Sequence, residues 1–270
     1  GFGVARALAA QGATVAINDF HADRAEAAAA QLREWGATAH AAPADMTDRA
    51  AIAAMLERLA SQAGPVDIFV HNAGIPAQGW GYTPFLESPP AQWEAWLQLN
   101  LTGFMHACQL LLPSMIARRW GRIVGINSDA ARTATGMGLC AYGAAKAAAL
   151  GFVRNLSGEV GRHGITVNAL SLGTMNNWEG SEAVARKTTT VGRAGSPDDT
   201  LAQLQAWAPG GRVLRLGTTF RGLALAGTTI QLLGTVTEKD DDRRTVECDV
   251  WMETAEGDRC VIGTATVQLP

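Results

Sequence analysis

The sequence predicts an α/β chain: a parallel sheet covered by helices on both faces, followed by a small antiparallel β segment. Over residues 1–207, short β-branched runs bounded by turn residues alternate with long Ala/Leu-rich stretches of helical period. Strands joined through helices come back parallel to one another. From residue 208 onward the helical pattern is gone, and strand-like runs separated by turn signals replace it. Two domains are therefore expected, residues 1–207 and 208–270.

Taken in order, the chain opens with a helix over residues 4–11, directly behind Gly1-Phe2-Gly3. A strand over 13–18 follows, where Val15 and Ile17 interleave with small residues, and then a helix over 22–35. Residues 49–62 form the next helix and 66–70 (Val-Asp-Ile-Phe-Val) the next strand. One long helix is read over 91–118, then a strand over 121–126, an Ala-rich helix over 141–161 and a strand over 164–168. Ser196-Pro197-Asp198-Asp199 reads as a helix start, with Ser as cap, Pro at the first position and acids in the first turn. That helix would end near Trp207, before the linker Ala208-Pro209-Gly210-Gly211. Strands are then expected over 212–220, 228–237, 244–254 and 259–269. Val246, Cys248, Val250 and Met252 alternate with Glu247, Asp249, Trp251 and Glu253, the period of a strand with one buried face.

Composition removes several function classes. With 47% hydrophobic and 17% charged residues the chain is that of a folded protein, not a disordered or fibrous one. Its 22 basic and 25 acidic residues give no electrostatic footprint for nucleic acid or anionic lipid, so neither is expected as a partner. No apolar run approaches the ~20 residues that span a bilayer, and the N-terminus lacks the layout of a secretion signal, so a cytoplasmic protein is expected. Cys108, Cys140, Cys248 and Cys260 have no metal-ligand spacing. They are read as thiols, with neither disulfide nor metal. The five histidines share no ligand spacing either.

The chemistry-bearing residues sit where strands end. Gly1 opens a helix, and Asp19 lies 18 residues later at the end of the next strand. In a dinucleotide-binding βαβ unit a glycine there lets backbone approach a pyrophosphate, and the acid bonds ribose hydroxyls. Glycine at a helix start and Asp at a strand end also serve turns and caps, so this pair alone carries both readings. Tyr142 and Lys146 share one face of an Ala-rich helix. An ammonium about 4 Å from a phenol at an effective dielectric of about 20 favours the phenolate by ~4 kcal/mol, which suits a general acid/base near neutrality. The other reading is an incidental surface pair. Ser128, 14 residues before Tyr142, ends a strand and would aim a hydroxyl into the same crevice, or cap the turn at Ala130. Asn72-Ala73-Gly74 ends another strand, where small residues admit a flat cofactor. Asn100, amid apolar residues of the long helix, is a satisfied core amide or part of a polar network.

Together these residues resemble the short-chain dehydrogenase/reductase family, over residues 1 to about 200. The resemblance implies a Rossmann-type, doubly wound parallel sheet lacking its first strand, because only the last glycine of the family's Thr-Gly-x-x-x-Gly-x-Gly loop is present, at Gly1. It also implies an NAD-dependent oxidoreductase interconverting a secondary alcohol and a ketone. Tyr142 would transfer the proton, Lys146 would lower its pKa and bind the nicotinamide ribose, Ser128 would orient the carbonyl, and Asn100 would hold a water. Gly1, Asp19, Asp45, Met46, Asn72, Ala73, Gly74 and Thr174 would contact the cofactor. Asp19 favours NAD over NADP, since a carboxylate repels a 2′-phosphate. Leu172 stands where the family usually has proline before Gly173, and residues 176–190, in the specificity segment, carry no readable chemistry. The family also implies a homo-oligomer, dimer or tetramer, through the helices carrying Asn100 and Tyr142.

Residues 208–270 resemble the second half of a MaoC-like hot-dog domain, carried by Phe220-Arg221-Gly222-Leu223, Ala226-Gly227-Thr228-Thr229 and the closing Gly263-Thr264-Ala265-Thr266-Val267-Gln268-Leu269-Pro270. By analogy with that family a 3-hydroxyacyl thioester such as an acyl-CoA is a candidate substrate. The rival expectations are a catalytically silent remnant with a binding or assembly role, and acyl-thioester binding by the C-terminal segment.

Overall fold

A computed structural model describes residues 1–77, 79, 83–133, 137–176, 179–188, 193–196, 212–220, 230–240, 242, 245–254 and 259–268. The chain divides into two compact units, Gly1–Gly173 and Thr174–Pro270. The expected boundary at residue 207 and the expected helix after Ser196 lie outside the described residues.

The first unit alternates helix and strand as its sequence period dictates: α1 (Phe2–Ala10), β1 (Val15–Ile17), α2 (Ala22–Glu34), β2 (Ala39–Ala41), α3 (Arg49–Ala63) and β3 (Ile68–His71). These are followed by α4 (Pro90–Leu97), α5 (Gly103–Arg118), β4 (Gly121–Ser128), α6 (Cys140–Val160) and β5 (Ile165–Leu172). Local chemistry fixes the ends. Asp48 caps α3 by accepting from the backbone N–H of Ala50 at 2.8 Å and of Ala51 at 3.3 Å. Pro90 occupies the first turn of α4, where its missing N–H is harmless.

The strands are parallel, as expected, and among the described residues they fall into two groups: β1 pairs with β2, and β3, β4 and β5 pair in that order. This fits the expected doubly wound parallel arrangement lacking its first strand, each group being hydrogen-bonded within itself. Helix faces close the core against the strands in separate clusters. Phe104, Cys108, Leu111 and Met115 of α5 and Val153, Leu156 and Val160 of α6 pack with Ile123 of β4 and Ile165 of β5. A second cluster joins Met46, Ile52, Met55 and Leu59 to Leu99 and Ala107.

The long helix expected over 91–118 is interrupted. Residues Gln98–Thr102 form a π turn between α4 and α5, a local widening that often marks functional positions. Gly103 follows it, and a Cβ there would stand 2.1 Å from the Met46 carbonyl oxygen, so only glycine permits this approach.

The second unit contains α7 (Ser181–Thr188), which falls in a stretch without sequence signal, and four strands: β6 (Arg212–Phe220), β7 (Ile230–Asp240), β8 (Thr245–Thr254) and β9 (Arg259–Gln268). These make the expected antiparallel sheet, in order β6-β9-β8-β7. Among the described residues no helix is long and apolar enough to cross a membrane, and no group of three metal-ligating side chains converges.

Candidate active site

The end of β4 and the start of α6 build the centre. A Cβ on Gly143 would stand 2.7 Å from the Ala130 carbonyl oxygen, so α6 lies directly on the turn that follows Ser128. Tyr142, half-buried, precedes that glycine, and Lys146 follows one turn on at 4% exposure. The Lys146 Nζ donates to the Ile126 carbonyl at 2.7 Å and stands 5.8 Å from the centre of the Tyr142 ring. Asn127 completes the joint: its Nδ2 donates to the Lys146 carbonyl at 2.9 Å, and its Oδ1 accepts from the Ser128 N–H at 2.7 Å. The Ser128 Oγ accepts from the Ala130 N–H at 3.2 Å, the turn-capping bond. That bond uses the oxygen as acceptor, and the hydroxyl proton is left to donate elsewhere.

Asn100 enters from the π turn. Its Nδ2 donates to the carbonyls of Gly74 at 3.1 Å and Trp96 at 3.0 Å, while its buried Oδ1 has no hydrogen-bond partner. A buried amide oxygen left in that state costs about 1–3 kcal/mol, so the position favours a bound donor. Gly74 is where the groups converge, since a Cβ on it would lie 3.1 Å from the Lys146 Nζ and 3.3 Å from the Asn100 Oδ1. The Nδ2 end of Asn100 is thus that of a core amide, while its Oδ1 end is unpartnered.

Electrostatics here is governed by burial. Desolvation pushes the Lys146 ammonium down to about 8. His71, the last residue of β3, is 3% exposed and stacked flat on Phe104 at 4.6 Å between ring centres. Burial first, and the Lys146 charge second, lower its pKa to about 3, so it is neutral. Cys108, deep in the core, is pushed up to about 12 by burial and is an inert thiol.

The residues expected to contact a cofactor fall into two groups. Gly1 and the Asn72 side chain are adjacent, because a Cβ on Gly1 would lie 2.7 Å from the Asn72 Nδ2. The first turn of α1 is thereby placed beside the Asn72-Ala73-Gly74 segment. Asp19 follows the end of β1, where its carboxylate accepts from the His21 N–H at 2.9 Å and pairs with Arg24 at 3.3 Å. Asp45 accepts from the N–H and hydroxyl of Thr47 at 2.8 and 2.7 Å. The Met46 side chain, by contrast, is buried in the core cluster with Ile52 and Leu99. Thr174 belongs to the second unit, where its carbonyl accepts from the Gly195 N–H at 2.9 Å.

A cleft opens beside Tyr142, walled by Phe85, Gln92, Trp96, Leu139 and Cys140. Three contributors escaped the sequence reading. Asn127 is a buried amide next to the expected Ser128, and its burial at 5% was invisible without the fold. His71 lacks any ligand spacing. Trp96 left one signal, a bulky aromatic four residues before Asn100.

The sequence profile of the short chain dehydrogenase family matches residues 1–186. The chain is 38% identical over 175 residues to D-beta-hydroxybutyrate dehydrogenase of Cupriavidus necator, covering 64% of this chain and 65% of that protein. Among solved structures, a 3-oxoacyl-[acyl-carrier protein] reductase with bound NAD from Brucella melitensis superposes with a TM-score of 0.67 and 30% identity, covering 76% of this chain and 78% of that one. A gluconate 5-dehydrogenase from Burkholderia cenocepacia in complex with NADP and tartrate gives a TM-score of 0.67 and 28% identity, covering 75% and 82%.

Proposed function

The chain belongs to the short chain dehydrogenase family, and from that premise we propose that it is an NAD-dependent oxidoreductase interconverting a secondary alcohol and a ketone, with Tyr142 as general acid/base. The observation that carries the reading is the buried joint between β4 and α6. It sets Tyr142 beside a lysine whose ammonium is anchored on the Ile126 carbonyl, at the end of the strand that carries Ser128. A phenol is a poor acid/base near neutrality on its own, and a neighbouring ammonium in a low-dielectric site favours its ionised form.

The residues present fit a nicotinamide dinucleotide. Side-chain-free Gly74 lies where Lys146 and Asn100 converge, and the unpartnered Asn100 Oδ1 faces that position. Gly1 would hold the pyrophosphate side, Asp19 the adenosine ribose, Asp45 and Met46 the adenine, and Asn72 to Gly74 the adenosine side. By the family resemblance Thr174 would serve the nicotinamide end. When bound, the cofactor supplies or accepts the hydride. Tyr142 gives the substrate oxygen its proton in reduction and takes it in oxidation. Ser128 donates its hydroxyl proton to the same oxygen, stabilising developing negative charge. Lys146 holds positive charge below Tyr142, and Asn100 orders a water through its Oδ1. The carboxylate of Asp19 supports NAD, while the two superposing structures contain NAD in one case and NADP in the other.

A 3-oxoacyl or 3-hydroxyacyl thioester is the favoured substrate, in keeping with the named activity of the Brucella reductase. The antiparallel order β6-β9-β8-β7 supports reading the last strands as part of a hot-dog-like, acyl-thioester-binding sheet. A homo-oligomer, dimer or tetramer, through the helices that carry Asn100 and Tyr142 is what the family resemblance implies.

The test is titration of the purified chain with NADH and NADPH by fluorescence, together with reduction of 3-oxoacyl-CoA followed by nicotinamide absorbance. Tyr142→Phe is expected to abolish turnover and leave cofactor affinity nearly intact, and Asp19→Arg to weaken NADH binding. Retained turnover in Tyr142→Phe refutes the role of Tyr142. Absence of binding at millimolar NADH and NADPH favours the catalytically silent reading.

A further inference from the structure

Trp96 stands in α4 at 3% exposure, and its indole meets the Tyr142 ring edge-to-face, 5.0 Å between centres at 66°. Its carbonyl receives the Asn100 Nδ2 at 3.0 Å, so its backbone is tied to the π turn. Both rings wall the same cleft. Gln92, one turn before Trp96 on the same helix, is pinned, with its Oε1 accepting from the Ser88 hydroxyl at 2.9 Å and its Nε2 donating to the Thr83 Oγ1 at 3.3 Å. A buried indole in contact with a second ring restricts the movement of both.

We infer that Trp96 is a positioning residue for Tyr142 and sets the substrate class, admitting ketones whose substituent on the indole side is as small as methyl. This rests on the oxidoreductase reading of the same site. The indole limits the rotation of the phenol ring, and it occupies the volume that a larger substituent would need.

The test compares ethyl 3-oxobutanoate with ethyl 3-oxo-3-phenylpropanoate as substrates for the wild type, Trp96→Val and Trp96→Phe. Trp96→Val is expected to raise the phenyl-to-methyl ratio of kcat/KM about tenfold or more, mainly through KM for the phenyl substrate. The same change lowers kcat for the methyl substrate, and Trp96→Phe lies between. A ratio unchanged within about twofold in both variants overturns the specificity role. A second readout needs no turnover. The chain has only two tyrosines, Tyr82 and Tyr142, so 3-fluorotyrosine labelling gives two 19F resonances, assigned by Tyr82→Phe. Trp96→Phe and Trp96→Val are expected to shift the Tyr142 resonance, and an unmoved resonance overturns the positioning role. If the wild type turns over neither ester nor 3-oxoacyl-CoA while that resonance moves, the oxidoreductase reading fails and the ring contact stands.

Discussion

Replacing Gly143 by alanine tests how closely α6 must lie on the turn after Ser128. The added Cβ would sit 2.7 Å from the Ala130 carbonyl oxygen, against an ordinary contact of 3.4 Å or more, so about 0.7 Å of separation is needed. Both partners are main chain, which no rotamer change relieves. Overpacking of this kind costs about 1–3 kcal/mol, and at about 2–4 °C per kcal/mol the melting temperature falls by several degrees. The displacement also moves Tyr142 relative to Ser128, and errors near 1 Å in a reacting pair cost on the order of a hundredfold in rate. Gly158 is the control: it lies in the same helix, is exposed, and a Cβ there meets nothing within 4 Å. Gly158→Ala should therefore stabilise by about 0.5–1 kcal/mol and leave rate alone. The assay is thermal and urea unfolding beside 3-oxoacyl-CoA reduction. If Gly143→Ala matches Gly158→Ala in both stability and rate, the close approach has no consequence and the reasoning is refuted.

Other outcomes follow from the same geometry. His71 has a folded-state pKa of about 3 against 6.5, so the unfolded chain binds the extra proton as pH falls through 6.5. Stability from this group is full above 6.5 and is lost toward pH 3, at up to about 1.4 kcal/mol per pH unit. Urea unfolding of His71→Phe between pH 7 and pH 5 should show a shallower acid loss than the wild type, and an equal slope would contradict the burial of a neutral ring. Lys146, lowered to about 8 from 10.5, acts in a different window. Its contribution rises as pH goes from about 8 to 10.5, because the unfolded chain keeps a proton that the folded one releases. Lys146→Met should remove that rise in unfolding free energy and, on the proposed mechanism, most of kcat. Asp48→Ala removes the cap of α3 and should lower stability by about 1 kcal/mol without altering catalysis, as read by urea midpoint and rate.

Much of the site was legible because its signals are local. Tyr142 and Lys146 are one helical turn apart, and that spacing places both on one face whatever surrounds them. Ser128 and Gly74 were found by the rule that ligand crevices lie at the carboxyl ends of parallel strands. Met46 carries a part that sequence did not show: its side chain fills the core with Ile52 and Leu99, which leaves its main chain as the group for cofactor contact. Ser128 was read two ways, and the structure shows the capping bond that one of them requires. Most element ends shifted by a residue or two, β5 runs four residues and β7 three past the expected ends, and β2, an Ala-His-Ala segment, gives no β-branched signal and exists through its pairing with β1.

The sequence by itself determined the order of helices and strands in the first unit, the antiparallel character of the last four strands, and the residue types available for proton transfer. Those properties depend on periodicity and on neighbours a few residues apart. Only the tertiary structure decided that the parallel strands pair in two groups, that Asn100 sits on a π turn with one amide end unpartnered, and that Asn127 ties β4 to α6. It likewise decided that the Trp96 and Tyr142 rings meet edge-to-face and that burial lowers the Lys146 pKa. Each of these depends on groups distant in sequence meeting in a water-poor interior, where packing and desolvation, rather than local preference, set the free energy.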